Sequence, residues 1–289
     1  MDKRGKQITK TIAYGIIAIV LFVGLFFLTY KERGTQFALM EYDIIVFGDS
    51  IMRHTKDEDT EDSVVDRMAE LGGKKVFNGA LGGTCMSRTD TTMQMAYTKD
   101  GLSMVSLARA IYMKDFGVQE TIRIRENATE YFYDTVSSLE YMDYDKAEIV
   151  FIEQGINDYH AGVPIENKEE PYDQYTYKGA LRTSIHYLQE AYPHLRIILV
   201  TPTYSWYTVP HQTCEEMNEG GGILEDYVQA QIQVAEEMGV EIIDLYHDFY
   251  IHDTWEDYLI YTVDGVHPNE LGRDMIASKL VEYLLDNPK

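Results

Sequence analysis

A serine, a histidine and an aspartate in this chain stand at spacings that suit acyl transfer. Ser50 follows the unbroken apolar run Ile44-Ile45-Val46-Phe47 and the turn pair Gly48-Asp49. Such a run reads as a strand buried on both faces. In an open α/β sheet the carboxyl ends of strands are where ligands bind. A hydroxyl delivered there becomes a nucleophile if three things accompany it: a base, a group that orients the base, and donors for an oxyanion. His267, in Asp264-Gly265-Val266-His267-Pro268-Asn269, is the candidate base. Asp264, three residues earlier on the same turn, can reach one ring nitrogen while the other faces the serine.

The oxyanion donors have candidates too. One is the backbone of Gly83, in Asn78-Gly79-Ala80-Leu81-Gly82-Gly83-Thr84, where glycines let N–H groups turn inward after a strand. The other is the side-chain amide of Asn157, in Gly155-Ile156-Asn157-Asp158. Taken singly, each is also ordinary turn chemistry. The other seven histidines, at 54, 160, 186, 194, 211, 247 and 252, lack a carboxylate at this spacing before a Pro-marked turn. The two cysteines, Cys85 and Cys214, form no CxxC pair and no zinc-spaced cluster with histidine, so no metal set is read; a disulfide between them is not indicated.

These residues must be held by a fold, and apolar patterning supplies one. Strand-like runs at 43–47, 75–78, 148–153, 196–201 and 241–245 alternate with helical stretches at about 61–71, 175–192, 224–238 and 270–285. That alternation predicts parallel βαβ units with helices on both faces, an α/β/α sandwich around five strands. The long segment between the second and third strands, about 85–146, carries helices over 102–113 and 128–141 and reads as an insertion serving as lid or substrate wall. Gly220-Gly221-Gly222 matches no phosphate-cradling pattern.

Ahead of this body lie a basic N-terminus (1–10), a charge-free apolar run (11–30) and a tether (31–42). Its twenty residues, almost wholly apolar, match the hydrocarbon core of a bilayer. The run exceeds a signal-peptide core, and no A-x-A-like site follows it. It reads as an uncleaved transmembrane signal anchor. Four basic residues precede it, which predicts a cytoplasmic N-terminus and a domain at 43–289 outside. The formal charge is −23. Because the N-terminus is basic, the body is more acidic still, which disfavours nucleic acid as a partner and, less decisively, anionic lipid head groups as substrates.

Together the four blocks, GDSIM at 48–52, NGALGGT at 78–84, GIND at 155–158 and DGVHPN at 264–269, resemble the SGNH (GDSL) hydrolase family over about residues 43–285. The resemblance implies a flavodoxin-like parallel five-stranded sheet and no metal or organic cofactor. It implies Ser50 as nucleophile, His267 as base and Asp264 as its orienting partner. The oxyanion hole would comprise the Ser50 N–H, the Gly83 N–H and the Asn157 amide. Two departures stand out: Leu of the GDSL form is Ile51, and the tandem Gly82-Gly83 leaves two assignments for the donor, of which Gly83 fits the family spacing better. The GxSxG elbow of α/β-hydrolases is absent.

The expected activity is removal of acetyl or other short acyl groups from cell-surface carbohydrate esters. Tyr204, Trp206 and Tyr207, just past the fourth strand, are candidate sugar-stacking residues, or else plain loop packing. An O-acyltransferase on the same scaffold and a lipase or thioesterase are the alternatives, with a non-catalytic tethered protein behind them. Neither acyl length nor oligomeric state is legible.

Overall fold

Ile44–Phe47 (β1) is buried along its whole length, as its apolar run demands. The computed structural model describes residues 39–53, 63–89, 99–121 and 130–288. After β1 come α1 (Ser50–Arg53), α2 (Val64–Gly72), β2 (Val76–Asn78), α3 (Met104–Met113), α4 (Gly117–Glu120) and α5 (Glu130–Glu140). Then follow β3 (Ile149–Glu153), α6 (Ile156–His160), α7 (Tyr177–Ala191), β4 (Arg196–Val200), β5 (Trp206–Tyr207) and β6 (Gln212–Thr213). The chain closes with α8 (Leu224–Met238), β7 (Glu241–Ile243), α9 (Tyr258–Tyr261) and α10 (Glu270–Asp286).

Five strands form one parallel sheet in the order β2-β1-β3-β4-β7. Val46 pairs with Asn78 on one side and Phe151 on the other, and Phe151 pairs with Ile198. Strand order reverses between β1 and β3, the place where a doubly wound sheet opens its ligand crevice. Right-handed crossovers put the β1–β2 connection on one face and the later connections on the other. Accordingly α2 packs against α10, while α3, α7 and α8 lie side by side. The buried β1, β3 and β4 side chains form the core between these layers.

Capping fixes where the helices start. Ser63 and Asp66 cap the start of α2 reciprocally. Asn269 caps α10, its Oδ1 accepting from the Gly272 N–H at 3.0 Å. Such a cap is worth about 1 kcal/mol. Here it also anchors the turn that carries His267 to the rigid start of a long helix.

The expected five-stranded α/β sandwich stands, with boundaries shifted by a residue or two. Two readings change. The segment at 85–146 is not simply a lid: α3 is the crossover helix between β2 and β3 and packs on α7, because a parallel pair needs a helix over the sheet. The aromatic stretch after β4 is a small antiparallel hairpin, with Trp206 opposite Thr213 and Tyr207 opposite Gln212. Cys85 and Cys214 form no disulfide. The apolar run at 11–30, expected to span a membrane, lies outside the described residues. Among the described residues, no helix is long and apolar enough to cross a membrane.

Candidate active site

The end of β1, the turn before α10 and the ends of β2 and β3 meet at the carboxyl edge of the sheet. Ser50 Oγ lies 3.0 Å from His267 Nε2. On the far side of the ring, His267 Nδ1 lies 2.7 Å from Asp264 Oδ2. The other carboxylate oxygen of Asp264 accepts from the backbone N–H groups of Val266, at 3.0 Å, and His267, at 2.8 Å. Partial burial opposes ionisation of Asp264, but the His267 side chain and these two N–H groups outweigh it and hold the carboxyl well below the usual range. An ionised Asp264 fixes the proton on Nδ1 and leaves Nε2 to accept from Ser50. The turn is pinned from below by a hydrogen bond from the Trp206 N–H to the Gly265 carbonyl at 2.8 Å. Gly265 has φ +96°, and a Cβ there would overlap the Trp206 carbonyl.

The tandem glycines are sorted by a tyrosine. Gly82 N–H donates to Tyr131 Oη, from α5, at 3.0 Å. Gly83, at φ +73°, borders the cavity together with Asn157. The Tyr131 ring is in turn covered by the Arg53 guanidinium, 4.1 Å from its centroid, three residues beyond Ser50. On the opposite side, Asn157 Nδ2 donates to Asp49 Oδ2 at 2.9 Å. The amide has two hydrogens, so one remains for a ligand. Asp49 Oδ1 meanwhile accepts from Ile51 N–H at 2.9 Å. Thus Asp49, read from the sequence as a turn former, also anchors the amide.

Three buried carboxyls lie beneath these groups. Burial pushes Asp49 up to about 7, against the Ile51 N–H bond and the His267 charge that favour ionisation. Burial likewise raises Asp158 to about 6, although Met86 N–H and Ser87 N–H donate to it at 2.7 and 2.9 Å. Those two bonds tie the irregular stretch after Gly83 to α6. Glu153 is fully buried. Its carboxyl is pushed well above the ordinary range, first by burial and then by Asp49.

Two cavities border the other members of the site. One, of about 360 Å³, is bordered by His267, Val266, Tyr207, Met217 and His160. The other, of about 210 Å³, is bordered by Gly83, Cys85, Thr89, Asn157 and His160. A larger groove of about 500 Å³ lies at the opposite sheet edge, among Ile44, Lys74, Ile149 and Arg196, and holds none of these residues. The three aromatic candidates separate. Tyr207 is half-buried and borders the His267 cavity. Trp206 borders it with 1% of its surface exposed. Tyr204 is not brought there: it is buried, stacks on His252 at 4.0 Å and meets Trp206 edge-on. The hairpin turns it into the core. Among the described residues, no group of three or more His, Cys, Asp or Glu side chains is placed to hold a metal ion.

Sequence reading passed over Asp49's second bond, Tyr131 and His160. Only His160 left a signal, since it lies three residues after Asn157 and therefore on the same face of α6.

The sequence profile of the GDSL-like Lipase/Acylhydrolase family matches residues 46–275. A Homo sapiens protein named isoamyl acetate-hydrolyzing esterase 1 homolog is 27% identical over 131 residues, 44% of this chain and 51% of that protein. The match thus spans about half the length of that relative. Among solved structures, a protein from Lactobacillus plantarum superposes with a TM-score of 0.58 at 21% identity, over 86% of this chain and 99% of the other. One described as a possible lipase from Chitinophaga pinensis gives 0.56 at 17% identity, over 85% and 98%.

Proposed function

The chain belongs to the GDSL-like lipase/acylhydrolase family, and on that premise we propose that it is a serine ester hydrolase working through an acyl-serine. The observation that carries this reading is the Ser50–His267–Asp264 relay, 3.0 and 2.7 Å long. Ser50 Oγ attacks the ester carbonyl carbon while His267 Nε2 takes its proton. The carbonyl oxygen becomes an oxyanion facing the Ser50 N–H, the Gly83 N–H and the Asn157 amide. Collapse breaks the bond to the alcohol oxygen, which receives the proton from His267. Water, deprotonated by the same histidine, then releases the acid and restores the serine. Asp264 keeps the imidazole in one tautomer and steadies its positive charge. No step needs a metal or an organic cofactor.

The finer reading is removal of acetyl or other short acyl groups from carbohydrate esters outside the cell. It is supported by the small cavity beside Gly83 and Asn157 and by the apolar run at 11–30 with four basic residues before it. In this reading residues 11–30 span the bilayer, the N-terminus is cytoplasmic and the esterase body lies outside, near the membrane face. Its net negative charge suits a neutral rather than a phosphorylated substrate. A series of p-nitrophenyl esters from acetyl to decanoyl tests acyl length. The short-acyl reading expects kcat/KM to fall steeply beyond the shortest chains; a maximum at decanoyl would replace it with a lipase.

A further inference from the structure

His160 is a second histidine beside the relay, and the relay does not use it. It ends α6, three residues after Asn157, and it borders both the cavity that holds His267 and the one that holds Gly83 and Asn157. Its Nε2 lies 2.7 Å from Tyr207 Oη, and the two rings meet edge to face at 5.3 Å. Tyr207 comes from a different element, the hairpin strand β5. Two side chains from separate elements therefore place a pair of polar tips on one cavity wall. The same cavity is bordered by the apolar Val266 and Met217 and by the relay's own Asp264 and His267.

The reaction geometry decides which part of the ester meets this wall. The carbonyl oxygen must face Gly83 and Asn157. The alcohol oxygen must face His267 Nε2, which protonates it on departure. The alcohol beyond that oxygen extends into the cavity bordered by His267, Val266 and Tyr207. We infer that His160 and Tyr207 form the subsite for the leaving alcohol, and that this subsite takes an alcohol carrying further hydroxyl groups rather than a plain alkyl alcohol.

Three properties suit that role. A hydroxyl donates and accepts at once, as do a neutral imidazole and a phenol, so a substrate hydroxyl can join the pair without leaving a polar group unmatched. The face of Tyr207 offers a surface for the C–H side of a sugar ring. The imidazole also tends to stay neutral: desolvation against the cavity wall and the nearby His267 push His160 below the ordinary range. A neutral His160 can sit beside His267 without repelling the imidazolium formed in each half-reaction. By contrast, an alkyl alcohol would cover the pair, already bonded to each other, and offer nothing to its remaining hydrogen-bonding capacity, which is how hydroxyl-binding sites come to favour ligands that carry the hydroxyl.

This inference rests on the serine esterase reading, and the test separates the two. Hydrolysis of a mono-O-acetylated methyl glucoside is compared with that of isoamyl acetate, using the full chain, His160→Phe, Tyr207→Phe and Ser50→Ala. The unaltered enzyme is expected to favour the glucoside acetate in kcat/KM. Each of the two subsite variants should lower the ratio of the two kcat/KM values by about three- to tenfold, the worth of one hydrogen bond, chiefly through KM for the glucoside. Tyr207→Phe keeps the ring and its packing, so its result does not turn on folding. A preference for isoamyl acetate, or a ratio unmoved in both variants, overturns the subsite while leaving the esterase standing. Failure of the unaltered enzyme to exceed Ser50→Ala on either ester overturns the esterase reading and the subsite with it.

Discussion

Asn157 Nδ2 donates to Asp49 Oδ2 at 2.9 Å. The residue before the candidate nucleophile therefore orients the amide proposed as an oxyanion donor, and a hydrogen bond joins the segments that follow β1 and β3. One hydrogen of the amide is held by Asp49, which leaves a second hydrogen for a ligand.

Removing that donor has a defined cost. Asn157→Ala is expected to lower kcat on p-nitrophenyl acetate by about 10²–10³, or about 3–4 kcal/mol, with an unchanged circular dichroism spectrum. Turnover within about threefold of the unaltered enzyme would remove Asn157 from the oxyanion hole.

Asp49 brings a pH dependence of its own. Its carboxyl is pushed to about 7, so the ionised acceptor for Asn157 is present above neutrality and is lost as pH falls through it. His267 must also be neutral to act as base. Two protonations then act on the acid limb of the kcat profile. Asp49→Asn keeps an acceptor carbonyl that does not titrate, and its acid limb should be shallower. Superimposable limbs in both enzymes would contradict a titrating Asp49.

Tyr131 ties the crossover segment to the oxyanion turn by accepting from Gly82 N–H at 3.0 Å. Tyr131→Phe removes the acceptor and keeps the ring under Arg53. The expected result is a drop in kcat of about three- to tenfold with KM nearly unchanged, because the turn matters most when charge develops. A change confined to KM would assign Tyr131 to substrate binding instead.

Much of this site was legible because its parts sit at strand ends. The apolar run at Ile44–Phe47 and the strand-like run at 148–153 announced buried strands, so Ser50 and Asn157 could be placed at one edge of a sheet. The Asp264–His267 turn was legible because its partners are three residues apart. Contacts set by the packing of distant segments were not legible. Nothing in the sequence around Tyr131 says that its hydroxyl meets Gly82, forty-nine residues away. For Tyr204 the sequence left sugar stacking and loop packing open, and the pairing of Trp206 with Thr213 folds the stretch back and buries Tyr204. Asp49 was read as a turn residue because its local bond to Ile51 can be inferred from spacing and its bond to Asn157 cannot.

Glu153 provides a test on stability rather than rate. Its folded-state carboxyl titrates well above the ordinary range because it is buried beside Asp49. Between the unfolded and folded values, the native state holds a proton that the unfolded state has lost, so stability falls as pH rises through that window. Glu153→Gln removes this term. Its melting midpoint relative to the unaltered protein should therefore rise between about pH 4 and about pH 8. A difference that is the same at both ends would mean that Glu153 titrates normally.

The most direct measurement is covalent labelling of the serine. A fluorophosphonate probe reacts only with a hydroxyl made nucleophilic by its base. Treated at neutral pH, the unaltered protein should carry one probe on the peptide containing Ser50, and Ser50→Ala should carry none. His267→Ala should label far more slowly. An unlabelled wild-type chain, or undiminished labelling of Ser50→Ala, would contradict Ser50 as the nucleophile.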